Sequence, residues 1–296
     1  TRYDQVSWAR DVYKRQVIDA DAMLNFSKMH SLGNDFMVID GVTTSVDLDP
    51  EQVAAWGNRQ RGIGFDQLLL VAPPSSPNCD FDYVIFNADG SEAQQCGNGT
   101  RCVTDFVHRL GLTRQNQLCW HSKGGIIRTN KQPDGSVETW MPAPSLDHAA
   151  VPFVHPNPGE PISLSAGEGE YSIVPVAMGN PHGVVFVDDV INLDVAQIGY
   201  ELSHHEAFPE RANIGFCHIV NDGFIRLRVF ERGAEETLAC GSGACAAVVA
   251  GRHLGRLSSR VKVSLPGGKL RVEWPNTSGP IKLTGDSTFV YQGQLT

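Results

Sequence analysis

The 296-residue chain lacks any run approaching the roughly 18 consecutive apolar residues that a membrane-spanning helix needs, so no membrane partner is expected. It is also poor in cysteine. Seven in this length are too few for a disulfide framework, and an odd count leaves at least one unpaired, which fits a reducing compartment, the cytoplasm. Basic charge is short as well: 24 Lys and Arg against 33 Asp and Glu give a net charge of −9. Binding a phosphate backbone normally takes a basic patch that releases counterions, so nucleic acid is not an expected partner and a small molecule is.

The common cofactor signatures are missing too. Gly97-Asn98-Gly99 has neither the lysine nor the hydroxyl of a phosphate loop, and Arg61-Gly-Ile-Gly-Phe65 lacks the third glycine of a dinucleotide fingerprint. The cysteine spacings, Cys96 to Cys102 and Cys240 to Cys245, come without a nearby histidine pattern and match zinc knuckles poorly. No cofactor and no metal are expected. Residues 1–22 lack the apolar core of a secretory signal, being interrupted by Asp4, Arg10, Asp11, Lys14, Arg15, Asp19 and Asp21. The first clean strand pattern starts at Leu24, so Met23 is the expected natural start and residues 1–22 an appended or mistranslated leader.

What is present is a large apolar fraction, 41%, enough for a sizeable core and about two domains. Short β-rich runs dominate: Phe81 to Phe86, Gly183 to Val187, Phe224 to Phe230 and Val261 to Leu265. Asp49-Pro50 opens an expected helix through Gln52 to Arg59, with Asp as N-cap and Pro at the first helical position. Two further helices are expected, from about Asn98 to Leu110 and from about Gly243 to Leu254, each closed by a glycine suited to a left-handed cap. The second is small and apolar on every side from Ala244 to Ala250, so it must be wrapped by protein. Pro142 to Pro144 and Pro156 to Pro161 are natural crossing or edge segments.

Those two helices open on an echo: Cys96-Gly-Asn-Gly-Thr-Arg-Cys102 and Cys240-Gly-Ser-Gly-Ala-Cys245, 144 residues apart, the mark of a duplicated domain. A helix N-terminus carries about half a positive charge and unpaired N–H groups, so a thiol there is expected to ionise more readily. Glycines 97, 99, 241 and 243 clear side chains from the mouth and let backbone amides close on an anion such as a carboxylate. Cys102 and Cys245, farther along, are read as packing residues. Inverting a stereocentre needs a base on one face of the carbon and an acid on the other, with roles exchanged in reverse, which is why near-identical groups suit the task. Cys96 and Cys240 are the candidates. The rival readings are a redox-sensing or metal-binding protein, and another cofactor-independent racemase acting on proline or hydroxyproline.

Together with those motifs, Phe26-Ser-Lys-Met-His-Ser-Leu-Gly-Asn-Asp-Phe36, Asn87-Ala-Asp-Gly-Ser-Glu92, Gly179-Asn-Pro-His182, Arg211-Ala-Asn-Ile214 and Glu231-Arg-Gly233 occur in an order that resembles diaminopimelate epimerases over residues 23–296. The resemblance implies an α+β fold of two pseudo-symmetric domains, each a curled mixed β-sheet around a central α-helix. It divides the chain into 23–140 plus 286–296 and 141–285. It implies a homodimer that interconverts LL- and meso-2,6-diaminopimelate without cofactor, for lysine and peptidoglycan precursors, with Cys96 and Cys240 as the acid–base pair. Asn34, Gln67, Asn87, Gly97, Asn98, Asn180, Asn213, Glu231, Arg232, Gly241 and Ser242 match its substrate contacts, and His182 its supporting histidine. Amides suit a ligand with two ammonium and two carboxylate groups, because they donate and accept. Three positions depart from the family pattern: Glu235, where glycine is usual, Gly183, where a side chain is usual, and Pro142-Ala143 after Met141. Removing residues 1–22 is expected to leave thermal stability and catalytic activity unchanged, which melting curves and assays of the two chains would check.

Overall fold

The computed structural model describes residues 23–93, 96–154 and 160–295. The leader at 1–22 and most of the Pro156 to Pro161 segment lie outside the described residues. The first half runs β1 (Leu24–Ser31), β2 (Asn34–Asp40), α1 (Pro50–Gly57), β3 (Gln67–Ala72), β4 (Phe81–Asn87), β5 (Glu92–Ala93), α2 (Gly97–Arg109), β6 (Gln117–Ser122), β7 (Gly125–Lys131) and β8 (Val137–Met141). The second runs β9 (Ile162–Ala166), β10 (Gly169–Ala177), β11 (Pro181–Phe186), α3 (Val195–Ser203), β12 (Asn213–Asn221), β13 (Phe224–Glu231), β14 (Glu235–Thr237), α4 (Gly241–His253), β15 (Arg260–Leu265), β16 (Gly268–Glu273), β17 (Ile281–Gly285) and β18 (Thr288–Leu295). No helix among the described residues is long and apolar enough to cross a membrane.

Strand pairing exposes the duplication directly. β2 and β3 are parallel, β3 and β4 antiparallel, β4 and β6 parallel, and β6, β7 and β8 antiparallel. The steps β11, β12, β13, β15, β16 and β17 repeat that sequence of senses strand for strand. Each parallel step needs a long crossover, and each crossover carries a helix: α1 and α2 in the first half, α3 and α4 in the second. β18 returns to close the first half beside β1, while β9 takes the matching place beside β10. The halves join along one antiparallel seam, β8 with β17.

The two central helices are buried for different reasons. In α4 the residues from Ala244 to Ala250 are fully buried, so the helix survives only inside an apolar sheath, which the surrounding strands provide. In α2 the buried face carries polar groups, each satisfied: Thr100 and Thr104 bond back to the carbonyls of Cys96 and Thr100, and Thr129 takes hydrogen bonds from Thr104 and the Trp120 indole. Both end in the same cap, with Gly111 and Gly255 in the left-handed region and the following N–H reaching back to the carbonyls of Val107 and Gly251. α1 begins as expected, with the Asp49 carboxylate accepting from the Glu51 N–H at 3.1 Å. It stops short of Arg59 because Asn58 turns extended and its side chain captures the N–H groups of Gln60 and Arg61. Helix α3, capped by Asp194, has no forecast in the sequence reading.

Two backbone positions bind the halves or strain them. The β1–β2 turn places Leu32 and Gly33 at φ +54° and +86°, and the Leu32 side chain is buried within the second half's core. The Gly267 backbone presses on that turn so closely that a Cβ there would lie 1.9 Å from the Leu32 carbonyl oxygen. Glu235 sits at φ +60°, the left-handed region that a glycine occupies freely, which accounts for the glycine usual at this place. The departure at Gly183 is explained by packing, since a Cβ there would meet Ile173 at 2.5 Å and Phe208 at 3.0 Å. In denaturant titrations, Gly267→Ala is expected to lose about 1–3 kcal/mol by overpacking. Glu235→Gly should instead gain up to about 1 kcal/mol by relieving the left-handed strain.

Candidate active site

Cys96 and Cys240 are the N-caps of α2 and α4, and both line one cleft of about 1460 Å³ between the halves. Gly97, Asn98, Gly241 and Ser242 line it with them, as do Asn34, Gln67, Asn87, Asn180, Glu231 and Arg232. The glycine-rich starts of both helices therefore open on a common space, from matching places in the duplicated fold.

The two mouths differ in what each sulfur touches. The Cys96 sulfur accepts the Gly99 N–H at 3.2 Å, as a capping group does, and lies 3.9 Å from the Asn34 side-chain oxygen. The Cys240 sulfur makes no such cap; its S–H points to the Glu231 carboxylate at 3.2 Å, with Ser242 Oγ at 3.6 Å. Glu231 is the last residue of β13, and the last residue of β4 in the same place of the first half is Asn87. One half thus sets a carboxylate where the other sets an amide. Thr237 donates to the second Glu231 oxygen at 2.5 Å and fixes its orientation.

These contacts set the ionisation of the thiols, and here the sequence expectation is corrected. Burial pushes Cys96 up to about 11; the Gly99 N–H and the Arg101 charge pull the other way without winning. Burial pushes Cys240 farther above the ordinary thiol value, and the Glu231 charge adds to it. Burial likewise raises Glu231, against the hydrogen bonds from Thr237 and Cys240. The helix ends do favour thiolate, but desolvation in the cleft outweighs them. Cys102 and Cys245 are fully buried within the two cores, as their reading for packing requires. Outside the cleft, Cys79 and Cys119 touch sulfur to sulfur at 2.9 Å.

Asn98 is the residue that spans both mouths. Its amide donates to the Asn34 side-chain oxygen and to the Ala239 carbonyl, each at 3.2 Å, so it reaches from α2 to the residue before Cys240. Its oxygen accepts from Arg101 at 2.5 Å. Arg101 is completely buried, held by Ser31 Oγ at 2.9 Å and the Gly97 carbonyl at 3.4 Å, and no carboxylate among the described residues forms an ion pair with it. On the rim, Arg59 forks onto Asp35 and also reaches Asp66, Lys28 joins Asp35 at 2.5 Å, and Asp66 accepts from Asn34 at 2.9 Å. Burial would raise Asp35, but the hydrogen bonds from Arg59 and Lys28 outweigh it and hold the carboxyl at about 2. Gln67 and Asn87, on neighbouring strands, bond to each other at 3.1 Å.

Two of the sequence-read residues sit behind the wall of the cleft. Asn213 spends its side chain on the Pro181 carbonyl and the Arg232 N–H, so it positions Arg232 from the rear. His182 is buried, and burial together with the Arg232 charge pulls its pKa down to about 3, so the imidazole is neutral. Its Nε2 faces the Asn180 side-chain oxygen at 3.1 Å and its Nδ1 has no partner among the described residues; the contact goes to Asn180 and not to a thiol. Arg232 itself gives one guanidinium nitrogen to the Glu210 carbonyl at 3.0 Å. The sequence reading passed over Arg101, Thr237, Asp35, Arg59 and Asp66. Arg101 lies inside the Cys96-to-Cys102 motif, and its place there was the available signal. Among the described residues, no group of three His, Cys, Asp or Glu side chains is arranged to hold a metal ion.

The family model described as diaminopimelate epimerase matches residues 26–146 and 174–290. Among solved structures, a hydroxyproline epimerase from Agrobacterium vitis with bound trans-4-hydroxy-L-proline is 16% identical, with TM-score 0.69 and 93% of each chain covered. A phenazine biosynthesis protein of the PhzF family from Bacillus anthracis is 17% identical, with TM-score 0.66, over 93% of this chain and 99% of that one. A probable proline racemase from Agrobacterium radiobacter K84 is 17% identical, with TM-score 0.65, over 92% of this chain and 93% of that one. At these identities the three structures share the fold.

The unequal thiols have a measurable signature. Iodoacetamide labelling followed by peptide mass mapping is expected to modify Cys96 faster than Cys240 at pH 8, with the Cys96 rate climbing towards a midpoint near 11. Glu231→Gln removes a charge that disfavours thiolate and should speed labelling of Cys240. Arg101→Met removes one that favours it and should slow labelling of Cys96.

Proposed function

We propose that this chain, which belongs to the diaminopimelate epimerase family, inverts the α-carbon of LL-2,6-diaminopimelate by two-base proton transfer between Cys96 and Cys240. The observation that carries the reading is the pair of cysteines at the N-cap positions, one from each duplicated half, lining a single cleft. Cys96 as thiolate takes the α-proton, and the electron pair of the broken C–H bond remains on the carbon next to the substrate carboxylate. Cys240, whose proton is retained by the neighbouring Glu231 charge, delivers that proton to the opposite face. In the reverse direction the sulfurs exchange roles. The backbone N–H groups at the two glycine-rich mouths stabilise the negative charge that develops on the carboxylate.

The far end of the substrate is a second amino acid terminus, and the cleft offers acceptors and donors for it in Asn34, Gln67, Asn87 and Asn180, with Arg232 suited to a carboxylate. The cleft exceeds the roughly 300–1,000 Å³ of ordinary ligand sites, which supports closure of the halves about a bound molecule to exclude water. The division we favour places 23–140 with 286–296, and 141–285 apart, because Met141 and Gly285 end the two strands of the seam.

Cys96→Ser and Cys240→Ser are each expected to lower turnover by about 10²–10⁴-fold or more, while melting temperature stays close to that of the parent. In heavy water the product should carry one solvent deuterium at the inverted carbon. Inversion with the original hydrogen retained would end the two-base mechanism. Turnover of proline or hydroxyproline with none of diaminopimelate would end the substrate assignment and leave the mechanism standing.

A further inference from the structure

A second pocket, of about 400 Å³ and lined by neither thiol, opens where the sheet of the second half meets the β7–β8 turn of the first, and its walls set Arg260, Lys262, Lys269 and Arg271 against Asp134 and Asp286. That is a local excess of positive charge on a chain whose net charge is −9. The strand register forces some of these charges together. Lys262 on β15 stands directly opposite Arg271 on β16, and like charges at directly paired positions are destabilising.

Neighbouring acids relieve the crowding only in part. Glu273 is already shared by Arg260 at 3.5 Å, Arg271 at 3.1 Å and Lys282 at 3.7 Å. One oxygen of the Asp134 carboxylate accepts both the N–H and the hydroxyl of Ser136, and the carboxylate also lies within the field of Arg271. Neither Lys262 nor Lys269 has an ion-pair partner among the described residues. On the next strand, Thr284 is paired with Arg271 and lines the same pocket; it is buried, and its hydroxyl has no hydrogen-bond partner among the described residues. A buried hydroxyl without a partner beside unpaired ammonium groups is a set of donors lacking an acceptor.

We propose that this pocket binds a small multivalent oxyanion, a molecule bearing two or more phosphate or carboxylate groups, separately from the reaction in the cleft. Lys262 and Lys269 supply point charges, Arg271 supplies planar N–H donors, and Thr284 supplies a hydroxyl donor; an oxyanion accepts from all of them. The volume admits a molecule somewhat larger than pyrophosphate, within the lower range of ligand pockets.

Titration calorimetry on the full chain, with inorganic pyrophosphate in one arm and citrate in the other, tests it. Saturable binding of one equivalent of either anion is expected, weakened about tenfold or more in the Lys262→Ala, Lys269→Ala double variant, whose turnover without added anion stays at the parent level. Lys262→Glu is exposed and should fold; it is expected to raise the melting temperature of the anion-free protein, by removing the like-charge pair, while abolishing anion binding. The proposal is overturned if neither anion saturates, if binding is equal in the parent and the double variant, or if Lys262→Glu binds as the parent does. None of these outcomes depends on the assignment of the thiols.

Discussion

The arrangement of the cleft rests on one buried hydrogen bond, from the Arg101 guanidinium to the Asn98 side-chain oxygen. With that oxygen occupied, the Asn98 amide is left to donate in two directions, to Asn34 in its own half and to the Ala239 carbonyl in the other. The two helix mouths are thereby bridged by a single side chain. The cost is a fully buried guanidinium with no carboxylate ion pair among the described residues, tolerated because hydroxyl and carbonyl acceptors surround it. An arginine so placed also adds positive potential beside the Cys96 sulfur, so the strut and the electrostatics of the first thiol share one residue.

Duplication supplies two equivalent positions, and substitution makes them unequal. Asn87 and Glu231 end corresponding strands, yet one is a neutral amide bonded to Gln67 and the other a carboxylate bonded to Cys240. A two-base inversion run between identical environments would have no preferred resting state. The carboxylate breaks that degeneracy by disfavouring charge on Cys240, leaving Cys96 as the easier of the two to ionise. Chemical equivalence comes from the repeated fold, and the bias comes from a single strand-end residue.

Much of this is legible in the amino-acid sequence, and what is not has physical reasons. The central helices were readable because glycines at both ends and unbroken small residues in α4 are local signals. The strands at Phe81, Phe224 and Val261 were readable from β-branched and aromatic runs. Helix α3 was missed because its short amphipathic stretch sits between strands and carries only a single Asp cap. The thiol ionisation was misjudged because the helix-end effect is local and visible in sequence, whereas desolvation depends on the whole enclosure. Asn213 and His182 illustrate the same limit: their motifs place them close to the site, but only the fold tells front from back.

The buried Leu32 turn has a consequence for how the chain holds together. Its tip is a plug from one half seated in the apolar interior of the other, with the Gly267 backbone closing over it. Pulling the halves straight apart would uncork a core and open a void, whereas a rocking motion about the plug leaves it seated. Separating the halves would therefore cost more than their contact surface, because loss of order in one removes a piece of its counterpart's own interior.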